Sequence, residues 1–467
     1  MNSPRLLIAA PSSGGGKTTI TTGVMAALSG DMVVQGFKVG PDYIDPSYHT
    51  VAAGRISHNI DTWMLPVDQV ERIYCQGQQG ADISIIEGVM GLFDGVDGRT
   101  ERGSSAEVAK LLNAPVILVV DVRALSRSAG AIALGIKNFD PALNVAGVIA
   151  NRVGSPKHAQ MVTDAIEGVG LEVLGCIPNH ASLNVPERHL GLFTAGEREE
   201  ATKIFIQEAK KMVLDKLDVD RLIAIAKNTP DFKISVPNIL ETQGKKVRIA
   251  VARDEAFCFY YQDNFNLLEA AGADPVFFSL LRDEKLPENI SGLYLGGGYP
   301  ELYAAQIANN ASIRAAIRQA ILSGLPTYAE CGGMMTLTNH YIDSEGNKYP
   351  MVDVVPGFTQ MTNQLKIGYR EVVSLKDTLL LTKGAVARGH EFHYSEWVME
   401  ESVDCHAYVV KSRDGNMERL VGFAKGNLLA SYVHIHFASN PDVAADFVNH
   451  CELWKNSTVG KLTCSDV

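Results

Sequence analysis

The chain begins with a largely apolar run, Arg5 to Ala10, then a polar, glycine-rich stretch, SSGGGKTT, then TTITTGVMAALSG, a helical segment closed by Gly30. That order reads as buried strand, loop and helix. Further short apolar runs stand at Phe37 to Val39, Ile83 to Ile86, Val116 to Val120, Val145 to Ala150 and Val173 to Ile177, with helix-like segments between most of them. Apolar strands alternating with helices predict an α/β fold with a parallel sheet covered on both faces. In such sheets chemistry collects at the C-terminal ends of strands.

From Glu197 to Lys227 the chain is charged and helical in period; NTPDFKISVPNILETQGKK then loses periodicity and carries two prolines. A domain boundary is expected there, near residue 240. A second alternating pattern starts with VRIAVA at Val247, and helical spacing returns from Asn264 to Ala271 and in the face Ile313, Ala316, Ile317, Ala320, Ile321. Three strand ends in this half are polar or glycine-rich. GLYL runs into Gly296, Gly297 and Gly298; SGLPTYA runs into Glu330, Cys331, Gly332 and Gly333 before the apolar MMTL; LLASYVHIHF carries His434 and His436 on the same side of a strand.

A chain of 467 residues, 46% hydrophobic and 20% charged, has room for two or three globular domains. Its net charge of −11, with no long Lys/Arg run, argues against general binding of nucleic acid or membrane surfaces. No stretch approaches the roughly 20 apolar residues of a membrane span, and the N-terminal apolar run is too short for a signal peptide. The seven cysteines are scattered without CxxC spacing. They read as reduced thiols of a cytoplasmic protein, with neither a disulfide framework nor a zinc site.

The first loop has phosphate chemistry. Backbone N–H groups of Ser13, Gly14, Gly15 and Gly16 and of the helix start at Lys17, Thr18 and Thr19 are suited to phosphate oxygens; Lys17 neutralises terminal phosphates and Thr18 supplies a hydroxyl for Mg²⁺. Pro11 replaces the usual first glycine of such loops. Carboxylates follow at strand ends: Asp42 and Asp45 in KVGPDYIDP, Glu87, then Asp94 and Asp97 in IIEGVMGLFDGVDG. Asp45 and Glu87 are expected to position metal and substrate; Asp42, Asp94 and Asp97 are weaker substrate candidates, with surface acids the alternative for the last two. Asn151, at a strand end, suits either a base edge of ATP or the cap of the next helix. Arg188 and His189 suit an acidic substrate, as Arg matches carboxylates, or are solvated surface charge.

In the second half, a cysteine on a sharp turn before a helix is either a small buried hydrophobe or a thiolate favoured by the helix N-terminus. The Gly297–Gly298 loop offers N–H groups to an oxyanion, and a later histidine offers a base. Nucleophile, oxyanion donors and base are the parts of thiol acyl transfer.

Together these stretches (PSSGGGKTT, FKVGPDYIDPSYH, IIEGVMGLFDG, IANRVG, ERHLGL, DEAFCFYYQDN, GGGYPELYA, YAECGGMM, GHEFHYS, SYVHIHF) resemble the family of cobyrinate, hydrogenobyrinate and Ni-sirohydrochlorin a,c-diamide synthases over nearly the whole length. The resemblance implies a dethiobiotin-synthetase-like ATP domain, residues 1–240, and a class I glutamine amidotransferase domain of the cobyric-acid-synthase type, residues 246–443. It implies that ATP, Mg²⁺ and L-glutamine serve to amidate acetate side chains of a modified tetrapyrrole, cobyrinate or Ni-sirohydrochlorin, with cobalamin or coenzyme F430 biosynthesis as the setting, and hints at a homodimer. By motif, Cys331 is the glutaminase nucleophile and His434 the residue that raises its reactivity. Many amidotransferases have a Glu two residues after that histidine; here the position is His436, so a third triad member is absent or replaced. His390 and His393 match a family motif with packing as the alternative role. A nucleotide switch with an inactive amidotransferase domain is the competing reading.

Overall fold

The computed structural model describes residues 4–179, 187–188, 191–192, 194–196, 199–230, 247–399, 405–411 and 418–463. The chain divides into two compact units, Met1–Asn238 and Ile239–Val467.

In the first unit β1 (Arg5–Ala9), α1 (Lys17–Leu28), β2 (Val34–Val39), α2 (Ile44–Ala53), β3 (His58–Ile60), α3 (Val67–Gly77), β4 (Ile83–Glu87), α4 (Ser105–Leu111), β5 (Val116–Asp121), α5 (Arg127–Phe139), β6 (Val145–Val153), α6 (Pro156–Glu167) and β7 (Val173–Pro178) follow one another. A two-strand ribbon, β8 (Glu187–Arg188) with β9 (Gly191–Leu192), precedes α7 (Glu199–Lys216) and α8 (Val219–Lys227). The strands form one sheet in the order β3-β2-β4-β1-β5-β6-β7, parallel throughout. Every apolar run read from the sequence is a strand of this sheet. The short edge strand β3 was not expected, because HNI is too short and too polar to register as an apolar run. On one face, Ile20 and Val24 of α1 share a core with Ala209 and Val213 of α7. This core fixes α1, and with it the loop that precedes it.

The second unit comprises β10 (Val247–Ala252), α9 (Gln262–Ala270), β11 (Ala273–Phe278), β12 (Gly292–Leu295), α10 (Ala304–Asn309), α11 (Ala311–Leu322), β13 (Thr327–Glu330), α12 (Gly332–Leu337), β14 (His340–Ile342), β15 (Lys348–Pro350), β16 (Phe358–Ser374), β17 (Val386–Val398), β18 (Tyr408–Lys411), β19 (Glu418–Val421), β20 (Phe423–Lys425), β21 (Leu428–Ser431), β22 (His434–Ile435) and α13 (Asp442–Thr463). Its central sheet runs β11-β10-β12-β13-β21-β20, parallel except for the edge strand β20. The predicted helical face is present: Ile313, Ile317 and Ile321 of α11 are buried.

A second sheet, β15-β14-β16-β17-β22, is mostly antiparallel and is extended by β18 and β19. The sequence pattern did not announce it. β16 is only half-buried along much of its length, and its pairing with β17 slips between Met361 and Lys366, which breaks a simple alternation. β17 carries His390 beside His434 of β22.

No described helix is long and apolar enough to cross a membrane. Cys75, Cys176, Cys258, Cys331, Cys405 and Cys451 are free thiols; Cys464 lies outside the described residues.

Candidate active site

In the first unit the loop between β1 and α1 turns through Gly14 (φ 75°) and Gly16 (φ 92°), a region that favours glycine. Asn151 is built into this loop. Its Nδ2 donates to the Gly15 carbonyl at 2.8 Å and lies 2.3 Å from where a Cβ on Gly16 would stand. Ser155, not Asn151, caps the following helix α6. The cap role open to Asn151 is therefore taken by Ser155, and Asn151 braces the phosphate loop. Lys17, at the helix start, folds its ammonium back onto the Ser12 and Met90 carbonyls at 3.2 and 2.6 Å. Burial lowers its pKa, with the charge of Lys38 adding to the effect. An anion arriving at the loop would relieve both costs.

Glu87, at the end of β4, is fully buried and holds three partners. Thr18 Oγ1 donates to its Oε1 at 2.8 Å, Lys38 Nζ donates to Oε1 at 2.9 Å, and His49 Nε2 lies 2.6 Å from Oε2. Lys38 also contacts Asp45 Oδ2 at 2.6 Å. Burial disfavours a charged Glu87, but Lys38 and His49 outweigh it and hold the carboxyl well below the usual range. One ammonium cannot neutralise two carboxylates. Burial, reinforced by Asp42 and Glu87, pushes the Asp45 carboxyl up, while Lys38 pulls it back down.

Lys38 stands between Asp45 and Glu87, in contact with both. Neither Lys38 nor His49 was singled out from the sequence. A lysine inside an otherwise apolar strand, GFKVG, was the available signal. The oxygens of Thr18, Asp45 and Glu87 remain the hard donors that suit Mg²⁺, provided Lys38 gives up its contacts.

The weaker candidates are used locally. Asp42 Oδ1 accepts from the N–H groups of Ile44 and Asp45 at the start of α2, Asp94 Oδ2 from Gly91 N–H, and Asp97 Oδ1 from Arg99 and Thr100 N–H on an exposed turn. The side chain of Arg188 and the whole of His189 lie outside the described residues.

In the second unit Cys331 occupies the turn between β13 and α12 with φ 48° and ψ −106°. A positive φ is costly for a side chain with a Cβ, and such strain persists where the surroundings over-determine it. Here Cys331 N–H donates to Ser431 O at 2.7 Å, which locks the turn to β21. The thiol is 4% exposed. Burial pushes its pKa up, Glu301 and Glu330 add to this, and Gly332 N–H works the other way. Burial thus favours the thiol over the thiolate, against the pull of the short helix α12, six residues long.

The glycine loop brings the other parts to this turn. A Cβ on Gly297 would meet His434 Cε1 at 2.2 Å, so the imidazole rests directly on that backbone; a Cβ on Gly332 would meet the Gly298 nitrogen at 3.3 Å. Gly297, Gly298, His434 and the Cys331 turn therefore gather in one place. His434 is 1% exposed, and its ring stacks on His390 at 4.9 Å between centroids. Burial holds its pKa well below the ordinary value, helped by His390 and His393. The GHEFHYS histidines flank the site: His390 accepts or donates to Tyr261 Oη at 2.9 Å, and His393 stacks on Tyr432 at 4.0 Å. His436 packs on Tyr261 at 4.6 Å and its Nδ1 accepts from Ala438 N–H.

Glu330, quoted in the sequence motif without a role, is 1% exposed. Tyr294 and Tyr328 donate to its two oxygens at 2.8 and 2.7 Å, and Oε1 is 3.9 Å from His434 Nδ1. Burial pushes its pKa up to about 8 despite those hydrogen bonds. A carboxylate ending an apolar strand was the signal that could have found it. A narrow cleft lined by Pro300, Glu301, Met335, Thr336, Tyr341 and Met351 lies along α12.

A phosphate loop in one unit and a cysteine–histidine centre in the other define a nucleotide-binding, glutamine-dependent amide ligase. Residues 6–193 match the CobQ/CobB/MinD/ParA nucleotide binding domain and residues 248–442 the CobB/CobQ-like glutamine amidotransferase domain. The chain is 44% identical over 458 residues to the cobyrinate a,c-diamide synthase of Priestia megaterium, covering 97% of this chain and 98% of the relative. It is 42% identical over 455 residues to that of Dehalococcoides mccartyi (96% and 98% covered), and 43% identical over 447 residues to that of Picrophilus torridus (96% and 98% covered). The chain belongs to the cobyrinate a,c-diamide synthase family.

Proposed function

We propose that the chain converts the a and c acetate carboxylates of cobyrinate to amides, with residues 1–240 activating each carboxylate by ATP and residues 246–443 supplying nitrogen from L-glutamine. The observation that carries this reading is the strained, locked turn of Cys331 against the Gly297–Gly298 backbone on which His434 rests, in a chain that also carries the Lys17 loop.

Cys331 Sγ attacks the glutamine amide carbon while His434 takes the thiol proton; Gly297 and Gly298 N–H groups receive the oxyanion. The C–N bond breaks, the proton passes to the departing nitrogen, and ammonia leaves a thioester that water hydrolyses to glutamate. In the other unit a substrate carboxylate oxygen attacks the γ-phosphorus of ATP, releasing ADP and forming an acyl phosphate. Ammonia then displaces phosphate. Direct amidation would have to expel oxide, a far poorer leaving group.

Ser13, Gly14, Gly15, Gly16, Lys17, Thr18 and Thr19 hold the phosphates; Lys17 is already desolvated and poised to gain a counter-charge. Mg²⁺, which neutralises charge on transferring phosphates, would be held by Thr18, Glu87 and Asp45. Asp42, Asp94, Asp97, Arg188 and His189 are the candidates for substrate contact.

Purified protein given cobyrinate, Mg²⁺, ATP and glutamine should form the a,c-diamide with two ATP consumed per ring. Turnover of hydrogenobyrinate or Ni-sirohydrochlorin in its place would move the ring assignment, and turnover of none of the three would contradict the reading.

A further inference from the structure

His434 needs something to hold its ring and to stabilise the imidazolium that forms when it takes the Cys331 proton. In many amidotransferases a glutamate two residues later does this, but that position is His436, whose ring is packed on Tyr261 and whose Nδ1 is engaged by Ala438 N–H. The carboxylate nearest His434 comes from elsewhere. Glu330 immediately precedes Cys331, and its Oε1 lies 3.9 Å from His434 Nδ1 in a place where both side chains are fully enclosed.

We infer that Glu330 is the third member of the glutaminase centre, a positioning residue that fixes His434 in the tautomer whose Nε2 accepts the thiol proton and that stabilises the resulting cation. Two observations and one physical argument converge on it. Tyr294 Oη and Tyr328 Oη each donate to one carboxylate oxygen, which fixes the direction of the group. Glu330 and Ser431 are paired in register across β13 and β21, so the acid sits on the strand next to the one that leads to His434. Finally, a buried acid with no task beside a catalytic histidine would be costly to keep, since burial disfavours its charged form.

The resting separation is longer than a hydrogen bond, as catalytic contacts often are without substrate. Transfer of the proton from Cys331 Sγ to His434 Nε2 creates a cation that favours the ionised form of Glu330, which burial alone disfavours, and their attraction shortens the gap. One strand end thus delivers both nucleophile and orienting acid, and the usual position after the histidine is released for packing.

This inference rests on the reading of Cys331 and His434 given above, and a set of variants separates the two. Glu330→Gln keeps one oxygen to accept from Tyr328, while its amide N–H₂, in place of the oxygen that Tyr294 donates to, would face His434 Nδ1 and select the wrong tautomer. Glutaminase kcat should fall by on the order of 100-fold or more, with KM for glutamine unmoved and ammonium-driven amidation at the wild-type rate. Glu330→Asp, which keeps the charge at greater distance, should recover part of kcat. Wild-type kcat in Glu330→Gln overturns the inference. If that variant does not fold, Glu330→Asp decides: reduced kcat at unchanged KM supports the role, and wild-type kcat overturns it. Glutamine hydrolysis that survives Cys331→Ala would instead remove the underlying reading.

Discussion

At the scale of single residues, the proposed mechanism divides the chemistry between Cys331 and Lys17. Cys331→Ala should abolish glutamine-dependent amidation while added ammonium salts still support it, measured as diamide formed per minute with each nitrogen source. Lys17→Ala should abolish amidation with both, because phosphates would then meet the loop without the ammonium now held against Ser12 and Met90. Unchanged turnover in the Lys17 variant would take the loop out of the mechanism. Lys38→Met leaves Asp45 and Glu87 enclosed without their shared cation; a loss of about 3–5 kcal/mol in denaturant unfolding is expected, the usual effect of breaking a buried pair by removing one partner. Lys17 and Cys331 were legible in the sequence because each stands in a short contiguous motif. Lys38, His49 and Glu330 were not, since their roles depend on groups brought from other strands: Lys38 reaches Glu87 from 49 residues away, and Glu330 reaches Tyr294 from 36.

Among elements, the glycine loop after β12 and the histidine-bearing strands β17 and β22 set the amidotransferase geometry. Gly297→Ala would drive a methyl group into His434 Cε1, at 2.2 Å without relaxation. It should destabilise the fold by about 1–3 kcal/mol as an overpacking change and suppress glutaminase far more than ammonium-driven amidation. An alanine variant with full glutaminase would contradict the placement of His434. The histidines also make the unit acid-sensitive. Burial, as the largest cause, holds His390 at about 3 and His393 and His436 at about 4, below the ordinary value near 6.5. The unfolded chain therefore binds protons that the folded one refuses, and stability falls as pH drops from about 6.5 towards 4. Each histidine contributes a slope of up to about 1.4 kcal/mol per pH unit. Thermal melts between pH 7 and 5 should show this decline, and His436→Gln should reduce it; a flat melting temperature would contradict the neutral, buried assignment. The parallel strands of both units were readable as apolar runs. The β16–β17 pair was not, because half-exposed strands with a register slip give no clean period.

For the whole molecule, the central claim is that two units serve one reaction: a thiol centre releases ammonia, and a phosphate-loop centre prepares the carboxylate that consumes it. Free ammonia in neutral water is mostly ammonium and unreactive as a nucleophile, so efficient transfer requires that the nitrogen be passed on before it equilibrates with solvent. The most direct measurement supplies cobyrinate, Mg²⁺, ATP and glutamine labelled with ¹⁵N at the side-chain amide, in the presence of excess unlabelled ammonium, and reads the isotope in the product by mass spectrometry. The account predicts that both new amides carry ¹⁵N in most of the product while Cys331 is intact, and ¹⁴N throughout in Cys331→Ala. Amides whose label matches the diluted ammonium pool in the intact protein would contradict it.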